Sequence, residues 1–211
     1  MAIPQDRTIK TLKGSFVPNK NLSDSQDEIM TLQGVPYALR QIQKIAKVKL
    51  GFSMDRYYPE KVPIGQEDRE VYQMSMTSEI SGLGIMSTAP LRALGVKTKN
   101  TETHVLDGVE FTKDEPVVGS LTIRMRLCAV ADLAAEREEL GGFLTQDWLA
   151  RAAPRDHVVR WSVRTNGKSG KDAWRSEQVW GILDGRYSGK IKMTNGLGES
   201  ASATLVYDYV G

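Results

Sequence analysis

From Arg155 to Val210 the chain alternates apolar and polar side chains in successive short stretches. Val159, Trp161 and Val163 share one face and oppose Arg160, Ser162 and Arg164. Trp174, Trp180 and Ile182 share the next, with Ser176 and Gln178 between them. Tyr187, Ile191 and Met193 oppose Arg186, Lys190 and Lys192, and Ala203, Leu205, Tyr207 and Tyr209 oppose Thr204 and Asp208. A period of two marks strands with one buried face. Asn166-Gly167, Asp184-Gly185 and Asn195-Gly196 separate the stretches, and such pairs are strong hairpin turn signals.

The same alternation runs through the earlier chain. Ile9 to Pro18 predicts a first strand. A helix follows, capped by Ser23 or Asp24, with Asp27 and Glu28 in its first turn and Ile29, Met30 and Leu32 as its apolar stripe. Gly34 stops it, and Pro36 starts a second helix with Tyr37, Leu39, Ile42 and Ile45 at helical spacing. Strands are predicted over Lys47–Tyr58 and Glu70–Ile80, with a turn at Pro59, Pro63 and Gly65 between them. Gly82, Gly84 and Pro90 break the pattern, so 81–90 is expected to be a mobile loop or tight crossover. Leu91–Lys99 and Thr101–Phe111 could pair as a hairpin, or Asp107-Gly108 could turn the second of them back. Val117–Val130 is the longest strand, and Ala131–Leu140 is a short charged helix ended by Gly141-Gly142. The sum is a mainly β chain of about nine or ten antiparallel strands, two short N-terminal helices and one short helix near 131–140. Strands this numerous close into a barrel or pack as a sandwich, and closed barrels of this size often hold a small ligand in the mouth. The two helices would lid or plug one end.

Composition narrows the partners. At 211 residues the chain is read as one barrel domain over 1–211. Its 28 basic and 26 acidic groups leave a formal charge of +2, too even for a nucleic-acid partner. Cys128 is the only cysteine, so no intrachain disulfide forms, which favours a reducing, cytoplasmic setting. In its apolar strand Cys128 reads as a small core residue. The first residues carry no apolar run of the secretory kind, and no stretch nears the ~18 apolar residues of a membrane span.

Familiar catalytic signatures are missing. The two histidines, His104 and His157, lack metal-ligand spacing. Gly82-Leu83-Gly84 is too short for a phosphate loop, and no Gly-x-Ser-x-Gly elbow occurs. The expectation is therefore no metal and no cofactor. What remains is a set of adaptable side chains on predicted apolar faces: Met74, Met76, Met125 and Met193, with Tyr72, Trp161, Trp174, Trp180, Tyr187, Tyr207 and Tyr209. They either fill a core or line a cavity for a bulky apolar ligand. Few polar residues could join them. His104 shares a strand face with Glu102 and Leu106, and an imidazole there would suit proton transfer. Arg124 and Arg126 share one face of the longest strand; inward they would hold an oxyanion, outward they are solvated. Gln178 could bond a ligand carbonyl or the backbone.

Two regions carry a resemblance. The first holds Asp6-Arg7-Thr8-Ile9-Lys10, Gly14, Asn19-Lys20, Leu22-Ser23-Asp24 and Leu32-Gln33-Gly34-Val35. The second holds Phe143-Leu144, Asp147-Trp148, Trp174, Gln178-Val179-Trp180-Gly181 and Leu205-Val206-Tyr207-Asp208-Tyr209. In order and spacing they resemble small fungal lipocalin-like proteins of secondary-metabolite pathways; the stretch from about Gly51 to Val130 resembles them poorly. The resemblance implies a lipocalin-like antiparallel β-barrel. It also implies a hetero-Diels–Alderase that joins a tropolone-type or related o-quinone methide, derived from a polyketide, to a humulene-type sesquiterpene. A cycloaddition needs no nucleophile; a container supplies proximity, excludes water and donates a hydrogen bond to the heterodiene carbonyl. On that view His104, Tyr72 and Arg126 take the polar role and Trp161, Trp174 and Trp180 form walls. Met74, Met76, Arg124, Met125, Gln178, Tyr187 and Tyr207 complete the expected substrate contacts. A passive carrier of a hydrophobic molecule and an acid–base lyase or isomerase are the competing expectations, and edge-strand pairing into a homodimer is left open.

Overall fold

Strand pairing in the computed structural model follows the chain almost without interruption. The structure describes residues 1–58, 70–82, 97–153 and 156–211. The turn expected at Pro59–Gly65, the break at Gly84–Pro90 and the 91–96 part of the expected hairpin lie outside them. Ten strands form one antiparallel sheet: β1 Lys13–Pro18, β2 Lys47–Tyr57, β3 Val71–Ser81, β4 Lys99–Val105, β5 Asp107–Glu115, β6 Gly119–Ala129, β7 His157–Thr165, β8 Trp174–Leu183, β9 Arg186–Asn195 and β10 Ser200–Tyr209. Each pairs with its sequence neighbour except β4 and β5, while β1 pairs with both β2 and β10. The result is a nearly closed antiparallel barrel with one seam between β4 and β5. The Asp184-Gly185 pair makes the tightest hairpin, joining Leu183 to Arg186 with φ of +50° and +70°, the left-handed geometry that two-residue turns require.

One expectation needs correction at the seam. Thr101–Phe111 is not one strand but two, divided at Leu106, whose N–H bonds the Tyr72 carbonyl. Gly108 takes φ +80° beside a register shift between Asp107 and Glu110, so the chain bulges there and the two strands splay. Side chains replace the missing ladder. His104 stacks on Phe111 with centroids 5.5 Å apart, and Lys113 reaches Glu102 at 2.6 Å.

The two ends of the barrel differ. Residues 9–11 form a 3-10 turn, not the start of β1, and Ile3, Ile9, Leu12 and Leu106 are buried at the end where β1 begins and β10 finishes. This end is closed. The other end receives the helices α1 (Asp27–Leu32) and α2 (Tyr37–Ile45). Ser23 and Asp24 do not cap α1. Beyond its pairing with β1, β10 has free backbone donors, and Ser23 Oγ and Asp24 Oδ2 accept them from Val206 and Thr204, both at 2.8 Å. From α2 only Leu39 is buried; Tyr37 and Ile45 stay exposed.

Instead of one charged helix, the segment after β6 folds as two single turns, α3 (Asp132–Ala135) and α4 (Arg137–Leu140), and a longer helix α5 (Gly142–Arg151). Together they cover the outer face of β6–β9. Leu133, Leu140, Leu144 and Trp148 pack there on Cys128, Val158, Val179 and Leu183, a second core outside the barrel wall. Burial pushes the Cys128 thiol up to about 11, so it remains an inert thiol in that core.

Candidate functional site

Inward positions of the strands build one continuous apolar lining. Phe16, Phe52, Met54, Met74, Met125, Val159, Trp180, Tyr187, Met193 and Leu205 all belong to it. Its centre is aromatic. Phe16 and Phe52 each contact Tyr187 (5.6 and 5.1 Å between centroids), Trp180 stacks on Tyr187 at 5.5 Å and 28°, and Tyr207 closes the group at 6.0 Å. The stacking depends on a glycine. Gly189 pairs with Trp180 across β8–β9, and a Cβ there would lie 2.3 Å from the indole, which therefore lies flat over bare backbone. A polar ladder holds the ring from the other side: Trp180 Nε1 donates to Gln178 Oε1 at 2.8 Å, and Gln178 Nε2 donates to Ser176 Oγ at 3.3 Å.

Two phenols lie in this lining. Burial, with the nearby Tyr207 contributing, pushes the Tyr187 hydroxyl far above its ordinary range, and burial pushes Tyr207 up to about 12. Both therefore stay protonated and can donate hydrogen bonds, but neither can act as a base near neutrality. Tyr207 also walls a recess of about 540 Å³ where the helical segment meets the barrel mouth, together with Ser23, Gln43, Val48 and Leu205.

A second recess, of about 610 Å³, opens at the β3–β5 side of the mouth and is walled by Ile80, Asn100, Glu102, Lys113 and Glu115. Here polar groups point inward. Glu102 accepts from Asn100 Nδ2 at 2.6 Å, from Lys113 and, at 3.1 Å, meets His104 Nε2; Lys113 also reaches Glu115 at 2.5 Å. Burial acts to raise the Glu102 pKa, but the bond and charge of Lys113, joined by His104, outweigh it and hold the carboxyl below 4.5. A carboxyl with a lowered folded value stabilises the protein above its unfolded value, and that contribution fades as pH falls below 4.5 through the folded value. The half-buried pair is worth up to about 1 kcal/mol. Glu102→Gln should therefore lower the urea midpoint at pH 7 and converge with the wild type in acid. A constant gap between the two down to pH 3 would show that Glu102 does not carry this part.

The expected site residues divide sharply. His104 is buried in the interior, against Phe111 and 6.3 Å from Trp161. Met74, Met76, Met125, Trp161, Trp174, Gln178, Trp180, Tyr187 and Tyr207 all lie on the inner face, and the Trp161 Nε1 is buried without a hydrogen-bond partner. Arg126 and Arg124 are corrected: they stand on the outer face. Arg126 pairs with Glu136 of the covering segment, which also takes Arg160, and Arg124 Nε donates to the Gly108 carbonyl at 2.8 Å. Tyr72 lies on the inner face as well, packed against the core, but its hydroxyl bonds Glu70 and not His104. That bond is 3.2 Å long, near the closed end, and Lys10 sits 5.3 Å over the ring. Asn100, Lys113 and Glu115 were not expected at the site, because inward positions were expected to be apolar. Their signal was polar residues at alternating positions, Asn100-x-Glu102-x-His104 and, after Phe111, Lys113-x-Glu115. Among the described residues no cluster of metal-ligating side chains occurs, and no helix is long and apolar enough to cross a membrane.

The sequence matches no protein-family profile and no curated protein. Solved structures similar in fold include the REP1-NXSQ fatty acid transporter, at 11% identity over 94% of this chain and 95% of that one, with a TM-score of 0.47. A fatty-acid-binding protein from Drosophila melanogaster brain is 12% identical over 92% and 95%, at 0.45. The fatty-acid-binding protein of Manduca sexta is 13% identical over 93% and 98%, at 0.46.

Proposed function

We propose that the barrel encloses a largely apolar small molecule whose oxygen atoms accept hydrogen bonds from Tyr187 and Tyr207. The observation that carries this is the pair of protonated phenols inside an aromatic lining, one of them on the wall of a recess large enough for a ligand. Recesses of about 540 and 610 Å³ fall within the range of small-molecule sites. Polarisable methionines and flat rings suit an irregular hydrocarbon surface.

The resemblance to fungal lipocalin-like proteins supports a finer version: the enclosed reactants are an o-quinone methide and a humulene-type sesquiterpene, joined by hetero-Diels–Alder cycloaddition. Two new bonds form and nothing leaves, so no nucleophile is needed. A neutral phenol donating to the heterodiene carbonyl lowers its acceptor orbital, and the dry lining keeps water from adding to the methide. Incubating the protein with a methide precursor and humulene tests it; the expected result is faster coupling with a stereochemical ratio unlike that in buffer. A carrier is the alternative; a lyase or isomerase is disfavoured because Glu102, His104 and Lys113 occupy one another and offer no free acid–base pair in that cluster. A carrier would bind both reactants and leave the ratio unchanged.

Tyr207→Phe keeps the ring and removes the donor. Its expected effect is a roughly 3- to 10-fold loss of affinity for an oxygen-bearing probe such as retinol, with little loss for a pure hydrocarbon. Tryptophan fluorescence titration measures both; equal losses would show that the hydroxyl does not meet the ligand.

A further inference from the structure

Among the described strands, the inward face carries its mouth-side charge in one cluster, and that cluster is already saturated. We propose that the barrel discriminates against carboxylate ligands, and that Glu102 and Glu115 enforce this by clamping Lys113. The inference rests on the container reading and names the class of ligand it takes: neutral molecules with an alcohol or carbonyl oxygen.

An ionised carboxylate enters a low-dielectric interior only where a cation with free hydrogen-bonding capacity awaits it. Among the described strands, the inward positions on the mouth side hold a single cation, Lys113. Its ammonium is spent on Glu102 at 2.6 Å and Glu115 at 2.5 Å. Burial works against the Lys113 charge, and the hydrogen bonds of these two carboxylates more than restore it. The cluster thus sets two carboxylates against one ammonium. Glu102 is held further by Asn100, so it cannot swing aside cheaply. Arg56 and Lys10 stand with Glu70 at the closed end, and Lys20, Lys44 and Lys97 are exposed at the rim, where water already solvates them. A third carboxylate beside this cluster would meet like charge. A neutral oxygen instead finds the phenols of Tyr187 and Tyr207.

The test uses retinol and retinoic acid, which share one polyene and differ in carrying an alcohol or a carboxylate. Titration of the full chain at pH 7.5 or thereabouts should give retinol at least about tenfold tighter than retinoic acid. Glu102→Gln/Glu115→Gln releases the ammonium, and the preference for retinol should fall at least about tenfold; adding Lys113→Met should restore it. Glu115→Gln alone keeps the Glu102–Lys113 contact across the seam, so it guards against a double variant that fails to fold, and should shift the preference in the same direction. Equal binding of the two ligands by the wild type would overturn the proposal, as would an unchanged preference in the folded variants. Failure of the wild type to bind either ligand would remove the container reading itself, and this inference with it.

Discussion

Replacing Trp148 by alanine should lower stability by about 3–5 kcal/mol and the midpoint of thermal unfolding by roughly 6–20 °C. The ring is fully buried against the outside of the barrel wall, among Leu144, Val158, Val179 and Leu183. The wall is shaped for it. At Gly181 a Cβ would lie 3.0 Å from Val158 and 3.2 Å from the Trp148 ring, so β8 offers bare backbone where the indole sits. Without the ring, α5 has little reason to stay docked. Lys190 then loses its place, because its buried ammonium pairs with Asp147 and lies 4.8 Å over Phe143, both on that helix. The exposed face of β7–β9 would present Val158, Val179 and Leu183 to solvent, an apolar patch prone to association. Trp148→Phe should cost far less, about 1–2 kcal/mol, since the indole Nε1 has no hydrogen-bond partner to lose. Equilibrium urea unfolding decides the matter; a Trp148→Ala variant within 1 kcal/mol of the wild type would refute the outer core.

That outer core also explains why the chain was only partly legible. The C-terminal strands could be read because their inner faces are large and apolar at every second position, with hairpin turns between them. Six of the expected ligand contacts, Trp161, Trp174, Gln178, Trp180, Tyr187 and Tyr207, lie on the inner face for that reason. The outer faces of β7 and β8 are apolar as well where α5 covers them, at Val158, Val179 and Leu183, so the alternation alone underspecified which side is which. Helix α5 stayed hidden because its stripe, Leu140, Leu144 and Trp148, straddles Gly141-Gly142, a pair that ordinarily ends a helix. Gly141 does end α4, at φ +82°, and α5 starts at the next residue. Arg124 and Arg126 could be placed on one face but not on a side, and what decides the side is Glu136, which arrives from the covering segment. The seam cluster was obscured by a different cause. Inward polar residues invert the usual pattern, and they are stable only because β4 and β5 need side chains to bridge them.

Gly189→Ala should damage ligand uptake more than any change to a residue that itself touches the ligand through a single bond. The backbone at Gly189 accepts an L-residue, so the obstacle is space alone: the new Cβ would fall 2.3 Å from the Trp180 ring. The indole must tip away from the wall. Doing so breaks its stack on Tyr187 at 5.5 Å and its 2.8 Å bond to Gln178, and frees the Gln178 amide from the ladder to Ser176. The only direction away from the sheet is inward, into the volume that a ligand would use. Overpacking of this kind costs about 1–3 kcal/mol, and the retinol affinity should fall by about tenfold or more while β-sheet content is kept. Trp180→Leu makes room for the alanine, so the two changes together should be less destabilising than their sum, a coupling that a double-mutant cycle measures directly. If Gly189→Ala leaves both the indole fluorescence and the retinol affinity unchanged, the ring does not lie where ligands bind, and the aromatic lining is packing only.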